Sequence, residues 1–305
     1  MAYLHNDKEL FQRSIRLAVS EASPDEWAIE KDYYITMLLK KLSEQFEFLV
    51  FKGGTSLSKC YRVIERFSED IDITIDKHIS QGQRKKLKKG ITAIASELGL
   101  RIPNIDSVMS RMDYNRYDFA YDSVIMNKSL EISAGTKIIL ETSLTDISFP
   151  VEKLPVYSLI GDMFAKEAPD YIEQYGLTPF SMKVQGLQRT FIDKVFAICD
   201  YYLKGSVERH SRHIYDIHKL LSSVRQDSEL RVLIKEVRAL RARTKISPSA
   251  QPDVDISYLL KKIASEGVYK EDYETLTTKL LNDETSYNDV IESVVSIAAS
   301  GIFSV

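Results

Sequence analysis

The sequence predicts an α+β fold in which a mixed region of helices and strands is followed by an all-α region. The pattern changes to a period of two between residues 107 and 148, as the alternation at residues 117–122 shows, and this is typical of strands. From residue 185 onward apolar residues recur every three or four positions, which is typical of helices. We therefore expect a first domain at residues 1–155 and a helical domain at residues 156–305.

Composition excludes several protein classes. The 305 residues are 44% hydrophobic and 28% charged, as in an ordinary globular protein, and the net charge of −3 gives no overall basic signal. Cys60 and Cys199 form neither a zinc motif nor a disulfide framework, which favours a reducing compartment. The sequence shows no signal-peptide core and no apolar run of the roughly 18–20 residues that a bilayer requires. We expect a cytoplasmic protein.

The first region is predicted to mix helices with short strands. Helices are expected at residues 6–21, 23–42, 57–64 and 83–98, the second beginning with a capping box from Ser23 to Glu26 around Pro24. Strands are expected at residues 48–51, 70–75 and, around a turn at Ala134-Gly135, at 130–132 and 137–143. Residues 149–181 contain four prolines and predict an irregular segment with the domain boundary. Later helices are expected at 185–204, 208–224, 227–244, 256–265, 269–281 and 285–299.

A glycine turn and a pair of aspartates carry the chemical signal. Gly53 and Gly54 follow an apolar run, and glycines let backbone N–H groups approach an anion such as a triphosphate. Sixteen residues after Gly54, Asp70 and Asp72 stand two apart in an apolar run, so strand alternation puts both on one face. Neighbouring carboxylates need a cation between them, and oxygen ligands suit Mg²⁺. The combination indicates phosphoryl or nucleotidyl transfer.

Glu141 is the candidate for a third carboxylate, which would hold a second ion or activate the nucleophile. It follows the apolar residues 138–140, where an acid is costly to bury unless it is paired or metal-bound. Two alternatives stay open. Asp146 lies past the strand, and Glu141 itself would face water if its strand is at a sheet edge.

Three segments together resemble the AbiEii/AbiGii toxin family of nucleotidyltransferases, a family of the polymerase-β-like superfamily that includes the MenT-type toxins. They are residues 30–33 (EKDY), 51–57 (FKGGTSL) and 66–72 (RFSEDID), and the likeness covers roughly residues 25–220. The resemblance implies a polymerase-β-like core with a small mixed sheet. It also implies Mg²⁺-dependent transfer of a nucleoside monophosphate from an NTP, in several members to the 3′ end of tRNA. Such proteins act as toxins in toxin–antitoxin or phage-defence systems, so a cognate antitoxin is a possible partner.

The residue chemistry and the family motifs together assign roles to ten positions. Nucleotide binding falls to Lys52, Gly53, Gly54, Thr55 and Ser56. Asp70, Asp72 and Glu141 would hold the metal, with a two-ion site expected. Lys194 matches the family's helix lysine, which would contact phosphate, and Asp216 matches an active-site aspartate that would fix this lysine by a salt bridge. The segment reads RHIYD, so His213 stands where the family commonly has aspartate. A solvated lysine and a surface acid are the plain alternatives.

Two basic clusters would suit RNA: residues 84–89 and a stripe from Arg231 to Lys245. Charged helix faces of this kind are usually solvated, and this is the alternative for both clusters. Residues 30–32 are expected on a polar surface.

The sequence lacks the motifs of a zinc site, a serine hydrolase and a Walker A loop. The histidines at 210, 213 and 218 have no further ligand cluster for zinc, and no G-x-S-x-G elbow or G-x-x-x-x-G-K-[ST] loop is present. The sequence favours a nucleotidyltransferase whose NTP lies between the two domains. Transfer to a protein or small-molecule hydroxyl, and a non-catalytic binding role, stay open.

Overall fold

The computed structural model describes residues 2–22, 25–68, 70–125, 137–244 and 246–304. The predicted capping residues Ser23 and Pro24, the turn at Ala134-Gly135 with the strand at 130–132, and Lys245 lie outside the described residues. Within the described ranges a mixed sheet is followed by helices. The predicted α+β class is confirmed.

The first 185 residues contain every strand that the structure describes. The strands are β1 (Leu49–Lys52), β2 (Asp70–Ile75), β3 (Tyr114–Ala120), β4 (Lys137–Ile147), β5 (Val151–Val156) and β6 (Phe180–Gln185). The helices among them are α1 (Lys8–Ala22), α2 (Glu26–Gln45), α3 (Gly53–Ser56), α4 (Gln81–Glu97), α5 (Leu159–Glu167) and α6 (Asp170–Gln174). The chain then continues through α7 (Leu187–Leu203), α8 (Arg212–Leu221), α9 (Ser228–Arg241), α10 (Ile256–Glu266), α11 (Lys270–Asp272) and α12 (Tyr287–Ser300).

The six strands form one sheet in the order β3-β4-β2-β1-β6-β5. β2 runs parallel to β4 and antiparallel to β1, so the two strands that carry the predicted acids are neighbours. One face of the sheet belongs to the core, where Ile71, Ile73 and Ile75 are buried together with Ile138 and Leu140. Because side chains alternate along a strand, the residues between these apolar positions project from the other face.

Internal contacts divide the chain into two units. The first comprises residues 1–62 and 67–185, and the second comprises residues 63–66 and 186–305. The division falls 30 residues after the predicted boundary at 155, because β5 and β6 pair with each other and β6 pairs with β1. The prediction that residues 149–181 are irregular is wrong, since they contain β5, α5, α6 and the start of β6.

Two predicted helices are interrupted. The segment after α3 makes one wide helical turn at Leu57–Tyr61 and stops at Arg62, whose φ of 54° is left-handed. The segment predicted at 269–281 is divided into α11 and two short turns. None of the helices that the structure describes combines the length and apolar character needed to cross a lipid bilayer.

Candidate active site

Four charged residues occupy paired positions across four neighbouring strands. Lys52 of β1 pairs with Asp72 of β2. Asp72 pairs in turn with Glu141 of β4, and Glu141 pairs with Arg116 of β3. Paired residues of adjacent strands project from the same face of a sheet, so two carboxylates lie between two cations. We call these four residues the charged row; Asp70 lies on the same face, two residues before Asp72.

The glycine turn lies directly against the charged row. Gly53 has a φ of +77°, in the left-handed region that residues with a side chain rarely adopt. A Cβ atom built on Gly53 would lie 2.0 Å from Oδ2 of Asp72. The fold therefore brings the predicted glycine turn and the predicted acidic strand together, and only glycine fits at this contact.

Substituting Gly53 by alanine should abolish the activity with a modest loss of stability. The left-handed backbone costs about 1–2 kcal/mol for a residue with a side chain, and the new methyl group would push the Asp72 carboxylate out of the charged row. Activity and urea unfolding measured on the same preparation check this. Gly99→Ala is the matched control, because Gly99 has a φ of +67° and open space around its Cβ position. Equal activity loss in both variants would contradict the clash.

The hydroxyls of Thr55 and Ser56 hold the turn in place. Thr55 lies within hydrogen-bonding distance of the Asp70 carbonyl and 2.9 Å from the hydroxyl of Ser68. A carbonyl only accepts, so Thr55 donates to Asp70 and accepts from Ser68. Ser56 donates to the carbonyl of Gly53 at 2.8 Å and is fully buried. These bonds fasten the start of β2 to the turn, while phosphate binding by the two hydroxyls stays a prediction.

Tyr114 and Arg116 join the site although the sequence did not single them out. Burial raises the pKa of Tyr114, and the neighbouring Glu141 carboxylate raises it further. Arg116 donates to Asp118 at 2.8 Å; this bond raises the pKa of Arg116, and the charge of Glu141 adds to the effect. The period of two in β3 was the available signal, because it places both residues on one face.

The two aspartates of β2 suit a divalent cation that binds together with the phosphates of a substrate. Among the described residues, no group of three or more histidine, cysteine, aspartate or glutamate side chains forms a ready-made metal cluster. Mg²⁺ is usually held by one or two carboxylates together with substrate phosphates and waters. Asp70 and Asp72 meet that requirement by residue type and by their shared face. A metal role for Glu141 stays a prediction, and the side chain of its alternative, Asp146, lies outside the described residues.

Residues 30–32 are buried, so the expectation of a polar surface at this position is wrong. Asp32 forms a buried salt bridge with Lys59, and Glu30 accepts hydrogen bonds from residues 123–124. Charged groups are buried where such partners compensate the loss of water. Lys59 is therefore a structural lysine that joins α2 to the segment after the glycine turn.

Lys194 and Asp216 lie together in the second unit. The buried Asp216 carboxylate accepts two hydrogen bonds from Arg66, at 2.7 and 2.8 Å, and lies 2.7 Å from Nζ of Lys194. Nζ of Lys194 also lies 3.2 Å from Nδ1 of His213. The salt bridge expected between Lys194 and Asp216 is present, and Arg66 completes a buried ion cluster of two cations and one anion.

The cluster shifts the titration of its members. Burial alone would raise the pKa of Asp216, but the charges of Arg66 and Lys194 outweigh it and hold the pKa below the usual range. Burial lowers the pKa of Lys194, against the opposing effect of Asp216. Burial also lowers the pKa of His213 well below 6.5, and the neighbouring charge of Lys194 adds to this.

The His213 ring should make the protein less stable as the pH falls below 6.5. In the unfolded chain a histidine takes up a proton near pH 6.5, whereas His213 stays neutral in the fold. The unfolded state then binds more protons, so stability is lost as pH falls, by up to about 1.4 kcal/mol per pH unit. Unfolding free energies at pH 7, 6 and 5 should fall less steeply in His213→Asn than in the wild type. Parallel slopes would contradict the assignment.

Comparisons with known proteins identify a family and a similar fold. The family described as "Nucleotidyl transferase AbiEii toxin, Type IV TA system" matches residues 37–294. Among solved structures the chain is similar to MenT4, a nucleotidyltransferase toxin from Mycobacterium tuberculosis H37Rv, with a TM-score of 0.52 and 16% identity. That match covers 93% of this chain and 88% of the other, and at this identity it shows the fold alone. No curated protein matches the chain.

Proposed function

Because the chain belongs to the AbiEii family of nucleotidyltransferase toxins of type IV toxin–antitoxin systems, we propose that it transfers a nucleoside monophosphate from an NTP to the 3′ end of a tRNA. The observation that carries this proposal is the glycine turn against the charged row. Gly53 and Gly54 supply a backbone that an anion can approach, and Asp70 and Asp72 supply oxygen ligands on the adjacent strand.

The donor half of the reaction follows from these residues. Asp70 and Asp72 would hold Mg²⁺ with the bound NTP, and the ion would neutralise charge on the triphosphate. Lys52, at the end of β1 and paired with Asp72, would add positive charge beside the phosphates. Because Gly53 abuts Asp72, the turn and the metal ligands are held in a fixed relation to each other.

Glu141 would take the proton of the acceptor hydroxyl. The acceptor oxygen would attack the α-phosphorus, the bond to pyrophosphate would break, and the proton would pass to the Glu141 carboxylate. Tyr114 lies beside this carboxylate, and Arg116 at the paired position balances its charge. Phosphate binding by Lys194, with Asp216 as the residue that holds it, stays part of the proposal.

Incubating the purified protein with each α-labelled NTP, Mg²⁺ and total tRNA tests the proposal. Label should appear in RNA with at least one nucleotide, and removal of Mg²⁺ by a chelator should stop the transfer. No transfer with any of the four NTPs would overturn it. Label on protein or on a small molecule would keep the donor chemistry and replace the acceptor.

A type IV system implies an antitoxin partner, and we propose that this chain has one. Expression should arrest growth in proportion to tRNA labelling in the same cells. Growth arrest that is unchanged in Asp72→Asn would show that toxicity does not depend on nucleotide transfer.

A further inference from the structure

A lysine-lined cavity opens on the first unit, outside the charged row. It has a volume of about 450 Å³ and is lined by Lys85, Lys86, Lys88 and Lys89 of α4, together with Thr92 and Ser110. Within α4 the acidic residue is Glu97, at the last position, so no acid of the helix lies among the lysines. We call this feature the lysine cavity.

Of the four lysines that line the lysine cavity, one has a structural role and three are exposed. Nζ of Lys88 donates to the carbonyl of Val108 at 2.7 Å, which holds α4 against the segment that forms the opposite wall. Lys85, Lys86 and Lys89 are exposed. Three exposed like charges within five residues repel one another, so an anionic ligand that they share would relieve this repulsion.

Two arginines of the rival basic stripe on α9 serve the second unit internally. Arg238 donates to backbone carbonyls of residues 250–254 at 2.6–3.3 Å. Arg241 forms salt bridges with Asp193 and Asp200 at 3.0 and 2.9 Å. These arginines hold helices together, so the structure favours the lysine cavity over the stripe that the sequence had placed beside it as an RNA site.

A short segment connects the lysine cavity to the charged row. Ser110 lines the cavity, and Tyr114, four residues later, lies on the same face of β3 as Arg116 of the row. Four residues span at most about 15 Å. Arg84 of α4 pins this segment by its 2.8 Å salt bridge with Asp113. The Tyr114 side chain is 52% exposed, so an aromatic face is available between the cavity and the carboxylates.

We propose that the lysine cavity binds backbone phosphates of the acceptor RNA while Tyr114 lies against an unpaired base near the charged row. This inference rests on the proposed function, because it supplies the acceptor half of that reaction. A polynucleotide fits better than a single anion, since exposed lysines track successive phosphates and an exposed aromatic ring stacks on bases of any sequence.

The triple variant Lys85→Gln, Lys86→Gln, Lys89→Gln tests the proposal by RNA binding without NTP. Each phosphate contact on a single strand contributes about 0.7 to the slope of log affinity against log salt concentration. Loss of three contacts should reduce this slope by about 2. At 0.1 M salt the affinity for tRNA should fall on the order of 100-fold, and the deficit should vanish near 1 M.

The matched control removes the same charge elsewhere. Lys261, Lys270 and Lys279 of the second unit are also exposed, so their triple glutamine variant should keep both the slope and the affinity of the wild type. Equal loss in the two variants would show a general effect of net charge and overturn the proposal. An unfolding midpoint equal to that of the wild type would show that both variants are folded.

Three further results separate this inference from the proposed function. If the lysine variant loses affinity for free NTP by the same factor as for tRNA, the cavity is a nucleotide site and the RNA proposal fails. If the wild type labels tRNA but the variant binds tRNA with unchanged affinity, the proposal for the lysine cavity is wrong and the proposed function stands. If no RNA is labelled while the slope falls as expected, the function fails and the binding surface stands.

Discussion

Asp70→Asn and Asp72→Asn should each lower nucleotide transfer by on the order of 10³-fold or more, without destabilising the protein. Each substitution keeps the size of the side chain and removes one of the two charges that would hold the cation. Two carboxylates on one face repel each other while no cation lies between them. Stability should therefore stay unchanged or rise slightly. Initial rates with labelled NTP, with urea unfolding on the same samples, measure both effects.

A metal-dependent readout separates loss of the cation from loss of the fold. Added Mg²⁺ with a non-hydrolysable NTP should raise the unfolding temperature of the wild type, and the rise should be absent in the Asp70→Asn, Asp72→Asn double variant. Asp122→Asn is the control, because Asp122 is an exposed acid whose partner is the exposed Arg101. Transfer that persists within tenfold in the double variant would remove these residues from the catalytic site.

Asp216→Ala should destabilise the second unit by about 3–5 kcal/mol and remove activity with it. The substitution leaves the charges of Arg66 and Lys194 buried without their shared carboxylate, and breaking a buried ion pair from one side typically costs this much. The free energy of unfolding in urea is the measurement. Asp227→Ala gives the contrast in the same unit, since it removes only a helix cap worth about 1 kcal/mol.

Low pH should destabilise the protein by protonating Asp216, just as the substitution destabilises it. The folded pKa lies below the unfolded value, so the stabilisation is present above pH 4 and is lost as the pH falls further. The variant should lose this acid-dependent part of the unfolding free energy. An Asp216→Ala protein that unfolds within 1 kcal/mol of the wild type would show that other contacts hold the second unit together.

The sequence predicts the glycine turn and the acidic strand well because local rules determine them. Alternation alone places Asp70 and Asp72 on one face, and β2 begins and ends at the predicted residues. Gly53 needs a backbone conformation that few other residues adopt. Neither inference requires knowledge of a distant partner.

The prediction for residues 149–181 is wrong because it took prolines as a sign of irregular structure. Pro155 lies inside β5, where it replaces a backbone donor that a central strand would need. β5 is at the edge of the sheet, and an edge strand tolerates a proline whose missing N–H faces outward. Position in the sheet decides this outcome, and position is set by pairing with β6, which the local sequence does not encode.

The other differences between prediction and structure arise from contacts between residues that are far apart in the sequence. Asp32 was expected at the surface because its helix neighbours do not reveal Lys59, 27 residues away. Glu141 was recognised as an unusual acid, but its contact with Tyr114 depends on the register between β3 and β4. The salt bridge of Arg66 could not be predicted for the same reason, because its partner Asp216 is 150 residues further along the chain.

The four-residue segment 63–66 gives the chain a property that neither unit has alone. It belongs to the second unit although the residues on both sides of it belong to the first. A fragment that starts at residue 186 would lack the Arg66 guanidinium and would bury Asp216 with Lys194 only. The helical unit therefore cannot be cut out as one continuous stretch of chain without losing a residue of its own buried ion cluster.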